Sequence, residues 1–387
     1  MWIRFLGILI LSHLAASAQF FDQWSVQTLP AEDRPYYGLA FGNDTFVVVG
    51  AGKIYSSPDA TNWQSSPGIE GADIRAVTSA NNRFVAVTEP RMFLGTGNIL
   101  TSTNGRDWEI KNIGGHHLHA ITFADGVFIA AGTHYISPDG TPRYEPRASF
   151  FRSANGIDWE YQFIDIRSDV RGIAYTDGIV VAVGNYSSSA GVIYRSLDRG
   201  ITWEKSDLIP PLLTGVAGGK GKFVATGYSS NILISSDGLT WSPHDTALAS
   251  ALKFSAYLNG TFFAGSMHSG GFVASPDVQT WTTHTCGPDN ANNSLTFGQG
   301  KFVGIGDLGN LVISGDVRTP ALSITSSGQT VSIRISGEVG KAYDLQATED
   351  FINWTSVLRF TNETTLREFN ETAGASRGFY RVTTAAD

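Results

Sequence analysis

Three sets of residues in this chain are of types that can do chemistry. Glu89, Glu145 and Asp169 are carboxylates in polar stretches. Glycoside hydrolysis needs two such groups about 5–10 Å apart, one of them able to donate a proton. His116, His117 and His119 form the run His-His-Leu-His, and imidazoles are common zinc ligands. A strand that begins at His119 leaves the first two histidines on a link without fixed geometry, which argues against a metal. The third set is spread along the chain: Tyr37, Arg75, His119, Arg171, Thr214, Lys253 and Asn293 each precede an apolar run by the same interval, as Tyr37 precedes Phe46 and Lys253 precedes Phe262. All are polar, and Arg75, His119, Arg171 and Lys253 can carry positive charge. Arranged in a ring, with Arg91, Tyr135, Arg143 and Tyr144 on nearby polar segments, they would hold an anionic or polyhydroxyl ligand. No phosphate cradle, dinucleotide fingerprint or nucleophile elbow occurs, and no cofactor is expected.

The elements that must position these residues recur. Apolar runs stand at Phe46–Gly50, Phe84–Val87, Phe128–Gly132, Val180–Gly184, Phe223–Gly227, Phe262–Gly265 and Phe302–Gly306. Short runs bounded by turn residues are what strands covered on both faces look like. Tight turns such as Gly42-Asn43, Asn81-Asn82 and Asp125-Gly126 precede them and mark hairpins. After each run comes a turn of fixed spacing: Ser57/Asp59/Trp63, Ser102/Asn104/Trp108, Ser153/Asn155/Trp159, Ser235/Asp237/Trp241 and Ser275/Asp277/Trp281. Ser196/Asp198/Trp203 is one residue longer. The Asp or Asn oxygen can accept backbone N–H groups inside the turn, and the Trp can then bury its ring. Asp59, Asn104, Asn155, Asp198, Asp237 and Asp277 therefore read as structural residues, with no metal assigned to them.

This spacing resembles the Asp-box (BNR) repeat of sialidases, sortilin-type receptors, xyloglucanases and a photosystem II assembly factor. The resemblance covers most of residues 37–316. It implies an all-β chain folded as a β-propeller with four strands per copy, and seven apolar runs imply seven blades. The seventh copy stops at Ser314-Gly315-Asp316 without its Trp, while Gln23-Trp24-Ser25-Val26 resembles the missing piece. Residues 20–28 are thus expected to form the outer strand of the last blade and leave no open edge in the ring. The resemblance carries no reaction with it. The Arg-Ile-Pro motif of sialidases is missing, their rings have six blades, and the xyloglucanases use two propellers with aspartates in the cleft between them. The single ring is closest in layout to the assembly factor, which binds a protein partner, and that likeness concerns the scaffold.

In an up-and-down blade the connection between strands two and three shares a face with the links between blades. These connections are longest at residues 89–101, 133–152 and 185–195, in adjacent copies. Insertions confined to one face mark the binding face of a repeat protein. The expectation is a non-enzymatic secreted binding or scaffold protein that recognises a glycan or an exported protein on this face. The alternative is a glycoside hydrolase or lyase acting on polysaccharide.

Residues 1–18 read as a signal peptide, with Arg4, the apolar run Phe5 to Leu14, and Ala16-Ser17-Ala18 before a cleavage point. Such a run is shorter than the roughly 20 residues of a membrane anchor. Export to the periplasm, the cell surface or the medium follows, and no later segment is apolar enough to be transmembrane. The propeller is assigned to residues 19–318. Residues 319–387 alternate apolar and polar positions, as in Leu322/Ile324 and Val331/Ile333/Ile335, which suggests a small antiparallel β-sandwich. The stretch Ala342-Tyr343-Asp344-Leu345-Gln346, Trp354 and the Phe379-Tyr380-Arg381-Val382 ending resembles a C-terminal module of secreted bacterial proteins. Thr348/Asp350/Trp354 repeats the Asp-box spacing, so an eighth blade is the second reading there. A net charge of −8 without a basic stretch excludes general nucleic-acid binding. With Cys286 as the only cysteine, neither an internal disulfide nor a cysteine metal cluster can form.

Overall fold

The computed structural model describes residues 24–316 and 321–384, apart from 94, 137–144, 165, 247, 249, 268–269, 287–292, 307, 328–329, 338, 349–352, 364–365 and 373–378. The leader assigned to residues 1–18 and the candidates Arg143 and Tyr144 lie outside the described residues. Among those described, strands dominate and the helical content is one short 3-10 turn, Ala31–Asp33. The chain divides into two compact units, Trp24–Ser314 and the part from Gly315 onward.

The first unit repeats one plan. Tyr36–Gly42, Thr45–Gly50, Ile54–Ser57 and Gln64–Ser66 pair in sequence order as an antiparallel sheet. The first two strands turn at Asn43-Asp44, whose φ angles of 46° and 53° suit a tight hairpin turn and are tolerated by Asn and Asp. Phe46, Val47, Val48 and Val49 are wholly buried, as expected of a strand covered on both faces. The fourth strand is short and mostly exposed. The second sheet comprises Ala72–Ala80, Arg83–Pro90, Asn98–Ser102 and Glu109–Asn112; the third His116–Ala124, Val127–Ile136, Glu145–Ser153 and Glu160–Phe163. The fourth comprises Asp169–Thr176, Ile179–Asn185, Gly191–Ser196 and Glu204–Lys205. The fifth and sixth begin at Leu213–Gly219 and Leu252–Leu258 and keep the same order.

The last sheet differs in where its strands come from. Ser294–Gly298, Lys301–Ile305 and Asn310–Ser314 pair in order, and the fourth strand is Trp24–Thr28, antiparallel to Asn310–Ser314 with Val26 opposite Val312. First strands of successive sheets touch one another, and Ser294–Gly298 touches Tyr36–Gly42, which returns the circuit to its start. This is the arrangement of a β-propeller. The core lies between sheets: Leu39, Phe46 and Val48 of the first pack with Val303, Ile305 and Leu311 of the last. Phe41 lies over Gly298, where a Cβ would come within 2.2 Å of the ring, so that position needs glycine.

The second unit contains two three-stranded antiparallel sheets. One is ordered Ala321–Ser327, Thr330–Ser336, Leu366–Thr372, and the other Thr355–Thr361, Ala342–Thr348, Phe379–Thr384. They share a core of Ile333, Ile335, Tyr343, Leu345 and Phe360, the inward positions of the alternation. A split into two three-stranded sheets departs from the four-in-order plan, so the reading of Thr348 to Trp354 as an eighth blade fails. Asp350 lies outside the described residues, and Trp354 instead stacks against the Arg381 guanidinium, 4.2 Å from its ring centre.

In five of the six Ser–Asp–Trp turns the tryptophan Nε1 closes a small set of hydrogen bonds, while Trp108 Nε1 is buried without a hydrogen-bond partner. Ser235 Oγ donates to Asp237 Oδ1 (3.1 Å) and accepts from Gly238 N (2.8 Å). Leu239 N and Thr240 N donate to Asp237 Oδ1 at 2.9 and 2.7 Å, and Trp241 Nε1 donates to Gly238 O at 3.1 Å. Asp59, Asp198 and Asp277 accept in the same way. Asn104 and Asn155 use Oδ1 for the same N–H groups and donate from Nδ2 to Asp107 and Asp158. Partial burial would raise the Asp237 carboxyl, but the N–H groups of Thr240 and Leu239 outweigh it and hold it at about 2. The bonding pattern asks for an acceptor oxygen, and a full charge is dispensable.

Two outcomes follow for urea unfolding of the full chain. Asp237→Ala should cost about 1–2 kcal/mol, because backbone donors in the turn lose their acceptor, whereas Asp237→Asn should cost less than half as much. The contribution of Asp237 is present above its ordinary value of 3.8 and lost as the pH falls towards 2. The Asn variant should lack that acid-side loss.

Candidate functional site

Six of the seven evenly spaced polar residues occupy one structural position that spacing alone does not reveal. In the first sheet Tyr36 pairs with Gly50 and Gly38 with Val49, so Tyr37 is the extra residue of a β-bulge. Arg75, His119, Arg171, Thr214 and Lys253 are skipped in the same way in the second to sixth sheets. A bulge breaks the ladder, bends the strand and re-aims one side chain. In the last sheet Asn293 stands just ahead of Ser294–Gly298, its N–H bonded to Ile305 O. The innermost strand of each sheet thus presents one polar residue at the end shared with the variable connections.

Four of these residues belong to one network across the first four sheets. The Arg75 guanidinium lies over the Tyr37 ring, 4.2 Å from its centre, and pairs through Nε with Glu89 Oε2 at 3.2 Å. Tyr37 Oη donates to Asp73 Oδ2 (3.0 Å), whose other oxygen accepts from Arg91 Nε (2.7 Å). Asp73 and Glu89 are cross-strand partners, an unfavourable pairing of like charges that the two arginines offset. His119 stands between two carboxylates, its Nδ1 3.6 Å from Glu89 Oε2 and its Nε2 3.4 Å from Asp169 Oδ1. Asp169 also accepts from Thr133 Oγ1 (2.6 Å) and from Arg171 Nε (2.8 Å) and a terminal nitrogen. His117 adds a further contact to Glu89 at 3.8 Å and bonds through Nε2 to Phe93 O at 2.9 Å. Tyr135 packs beside it, ring centres 5.1 Å from His117 and 4.6 Å from Phe93.

The electrostatics decide what this network can do. Burial would raise Glu89, but His117, His119, Arg75 and Arg171 outweigh it and hold the carboxyl at about 2. Burial acts on Asp169 in the same sense and is again overcome, by His119, Arg171 and Thr133, leaving it well below the usual carboxylate range. Burial pulls His119 down against the opposing pull of Asp169 and Glu89. A neutral imidazole has one N–H for two carboxylates. Asp169 is the nearer, which leaves the buried Nδ1 without a hydrogen-bond partner. Burial raises Tyr37 to about 12 and also raises Tyr135. At neutral pH the site therefore holds ionised carboxylates, ionised arginines and a neutral histidine. Glu89 and Asp169 both lack the proton a general acid would supply.

Two expectations are corrected by the strand bounds. The third sheet's first strand starts at His116, not His119, because the long second strand gives it partners: His116 pairs with His134 and His117 with Thr133. The two histidines therefore have fixed geometry, though not that of a metal site. His116 Nδ1 bonds Ser149 Oγ (2.8 Å), its ring lies 4.3 Å from His134 and 4.6 Å from Tyr161, and burial pushes it down to about 4. Among the described residues no group of three or more His, Cys, Asp or Glu is placed to hold a metal ion. Glu145 belongs elsewhere, paired to Arg147 at 2.9 Å.

Sequence reasoning brought Tyr37, Arg75, His119 and Arg171 together with Arg91 and Tyr135. Lys253 occupies the equivalent bulge two sheets beyond the fourth. Asp73, Thr133 and Phe93 were missed. A signal for the first was present: Asp73-Ile74-Arg75 and Asp169-Val170-Arg171 place a carboxylate two residues before the bulge arginine, on the same side of the strand.

Glu89→Gln should cost about 2 kcal/mol at pH 7, less than a fully buried pair because the side chain is partly exposed. Held at about 2 against an ordinary 4.5, Glu89 contributes stability above pH 4.5 that is lost as the pH falls towards 2. The gap between the two proteins in urea midpoint should therefore narrow below pH 4.5 and close as the pH approaches 2.

No family model and no curated protein matches this chain. Solved structures do. YCF48 bound to a D1 peptide aligns at a TM-score of 0.58 and 16% identity, over 80% of this chain and 98% of its own. YCF48 from Cyanidioschyzon merolae aligns at 0.54 and 13%, over 75% and 98%. A chain of the mitotic checkpoint complex aligns at 0.58 and 10%, over 76% and 91%. At such identities the likeness concerns architecture, and the architecture is that of a β-propeller.

Proposed function

We propose that this chain is a secreted, non-enzymatic scaffold that binds a polypeptide on the propeller face carrying the variable connections. The finer architecture in this reading is a seven-bladed propeller of Asp-box type, closed by the N-terminal strand, with a C-terminal β-sandwich. Seven four-stranded sheets, the pairing of Trp24–Thr28 with Asn310–Ser314, and two three-stranded sheets over one core support it. Export rests on the leader pattern of residues 1–18.

The observation that carries the binding reading is the charge-compensated mouth. Arg75, Arg91 and Arg171 each face a carboxylate of the protein itself, at 3.2, 2.7 and 2.8 Å. Arginines already engaged in this way are a poor trap for a highly anionic polysaccharide, since a ligand must displace a partner that sits in place. A surface of compensated charges beside aromatic rings suits a polypeptide, which offers both signs and apolar groups. YCF48, which shares the architecture, is known bound to a D1 peptide. The hydrolase alternative is disfavoured because Glu89 and Asp169 are both kept ionised.

The test presents the full chain with an array of random immobilised peptides and an array of plant and acidic polysaccharides. Peptides should be retained, with dissociation constants of about 1–100 µM, the range of modest interfaces. Hydrogen exchange with the best-bound peptide should protect amides in residues 51–53, 91–97, 186–190 and 228–230, leaving the Ser–Asp–Trp turns unchanged. Retention of polysaccharide alone, or release of reducing sugar from it, overturns the reading.

A further inference from the structure

Exposed large apolar side chains occur in several sheets of the propeller, Met92 and Phe93 among them, and one group gathers at the fourth and fifth sheets. Tyr186 follows the second strand of the fourth sheet, Tyr228 follows that of the fifth, and Leu208 and Ile209 lie on the link between the two sheets. All four therefore belong to the face with the variable connections. Their exposures are large, 49% for Tyr186, 58% for Tyr228, 36% for Leu208 and 74% for Ile209. Ile209 and Leu208 have no polar atom to reward that exposure.

The link that carries them is fixed on both sides. Gly191 N donates to Pro210 O (2.8 Å) and Leu213 N to Asn185 Oδ1 (2.9 Å), which ties it to the fourth sheet. Tyr228 N donates to Leu212 O (2.9 Å), which ties it to the fifth. The four side chains thus stand on neighbouring segments whose backbones are tied together, and such pre-organisation lowers the ordering cost of binding. One edge of the patch is cationic. The Arg167 guanidinium and the Lys205 ammonium stand 6.0 and 5.6 Å from the Tyr186 ring centre. Glu145 approaches Arg167 only to 4.0 Å, being held by Arg147 at 2.9 Å. Two cations thus adjoin the patch beside Tyr186, with the exposed Asp207 on the same link, on a protein of net charge −8.

We infer that this patch is where the polypeptide docks, and that the docked segment carries carboxylates beside large apolar side chains. This deepens the scaffold reading and rests on it. Apolar groups of the segment would cover Ile209, Leu208 and Tyr228, and its carboxylates would meet Arg167 and Lys205 across Tyr186. A glycan fits less well, because Ile209 and Leu208 offer its hydroxyls nothing to bond.

The test uses two fluorescein-labelled dodecapeptides, one of repeated Glu-Leu-Glu-Phe and one of repeated Lys-Leu-Lys-Phe, titrated by anisotropy against the full chain at 0.15 M salt. The acidic peptide should bind at least ~10-fold more tightly, although the net charge of the protein opposes it, since long-range repulsion is largely screened at that salt. Ile209→Ser with Tyr228→Ser should weaken it ~10-fold, as loss of central apolar contacts does. Arg167→Glu with Lys205→Glu should reverse the preference between the two peptides. These positions are exposed, so the folded state should survive, checked by an unchanged urea midpoint. Equal binding of both peptides, indifference to the four substitutions, or displacement of the peptide from the patch by oligogalacturonate overturns the inference. If array peptides bind and protect the variable connections while the acidic probe does not bind, the docking patch falls and the scaffold reading stands. If no peptide binds in either experiment, both fall.

Discussion

A sheet buried on both faces has nowhere to stop, and this constraint governs the propeller. Each four-stranded sheet here offers one apolar face to the sheet before it and one to the sheet after it, so the row is satisfied only when it meets itself. The meeting place is specific. Phe41 of the first sheet lies against the bare backbone of Gly298 in the last, and Leu39, Phe46 and Val48 fill the space against Val303, Ile305 and Leu311. The strand Trp24–Thr28 then completes the last sheet from the opposite end of the sequence, with Trp24 edge-on to Phe272 of the sixth sheet at 5.9 Å. Closure therefore joins residues nearly 300 positions apart in the chain, and the order of the whole circuit depends on a contact between its two ends.

Closure also explains why the bulges lie where they do. First strands converge on the centre of the circuit, where straight ladders would crowd. An extra residue near the start of six of them bends the strand and turns one side chain towards the mouth. With the backbone fixed by geometry common to all sheets, sequence is free to vary at that one position, and Tyr37, Arg75, His119, Arg171, Thr214 and Lys253 show how widely it does. The result is a mouth whose chemistry is set by a handful of residues on a constant frame, with carboxylates supplied by Asp73 and Asp169 on the same strands and by Glu89 on a neighbouring one.

The repeat, its hairpins and its Ser–Asp–Trp turns were legible in the sequence because each rests on local rules. Asp237 bonds donors within three residues of itself, and the turn at Asn43-Asp44 needs only residues that tolerate positive φ. The mouth residues were legible as a pattern but not as a site. Their interval marks a place on a strand, and it does not say that the place is a bulge or that Glu89 from one sheet and Asp169 from another close on His119. Those contacts span from 30 to 50 residues of sequence and arise from the angle between neighbouring sheets, which no local rule encodes. The histidine run failed for a related reason. Whether His116 is strand or link depends on how far its partner strand extends, and Val127–Ile136 is long because of the insertion that follows it.

The polar mouth and the apolar rim are opposite answers to the same problem of surface. At the mouth, charge is abundant and already matched: the arginines lie 3.2 Å or less from carboxylates, so the groups stiffen four sheets against one another and a partner meets both signs at once. At the rim between the fourth and fifth sheets, apolar groups stand in water without cover, and the adjoining cations lie at 4.0 Å or more from the nearest carboxylate that the geometry provides. Binding draws on interactions that are unsatisfied before the partner arrives. By that criterion the mouth residues orient a partner more than they attract it, and the docking patch proposed above lies one step outward, where Tyr186, Ile209 and Tyr228 stand exposed.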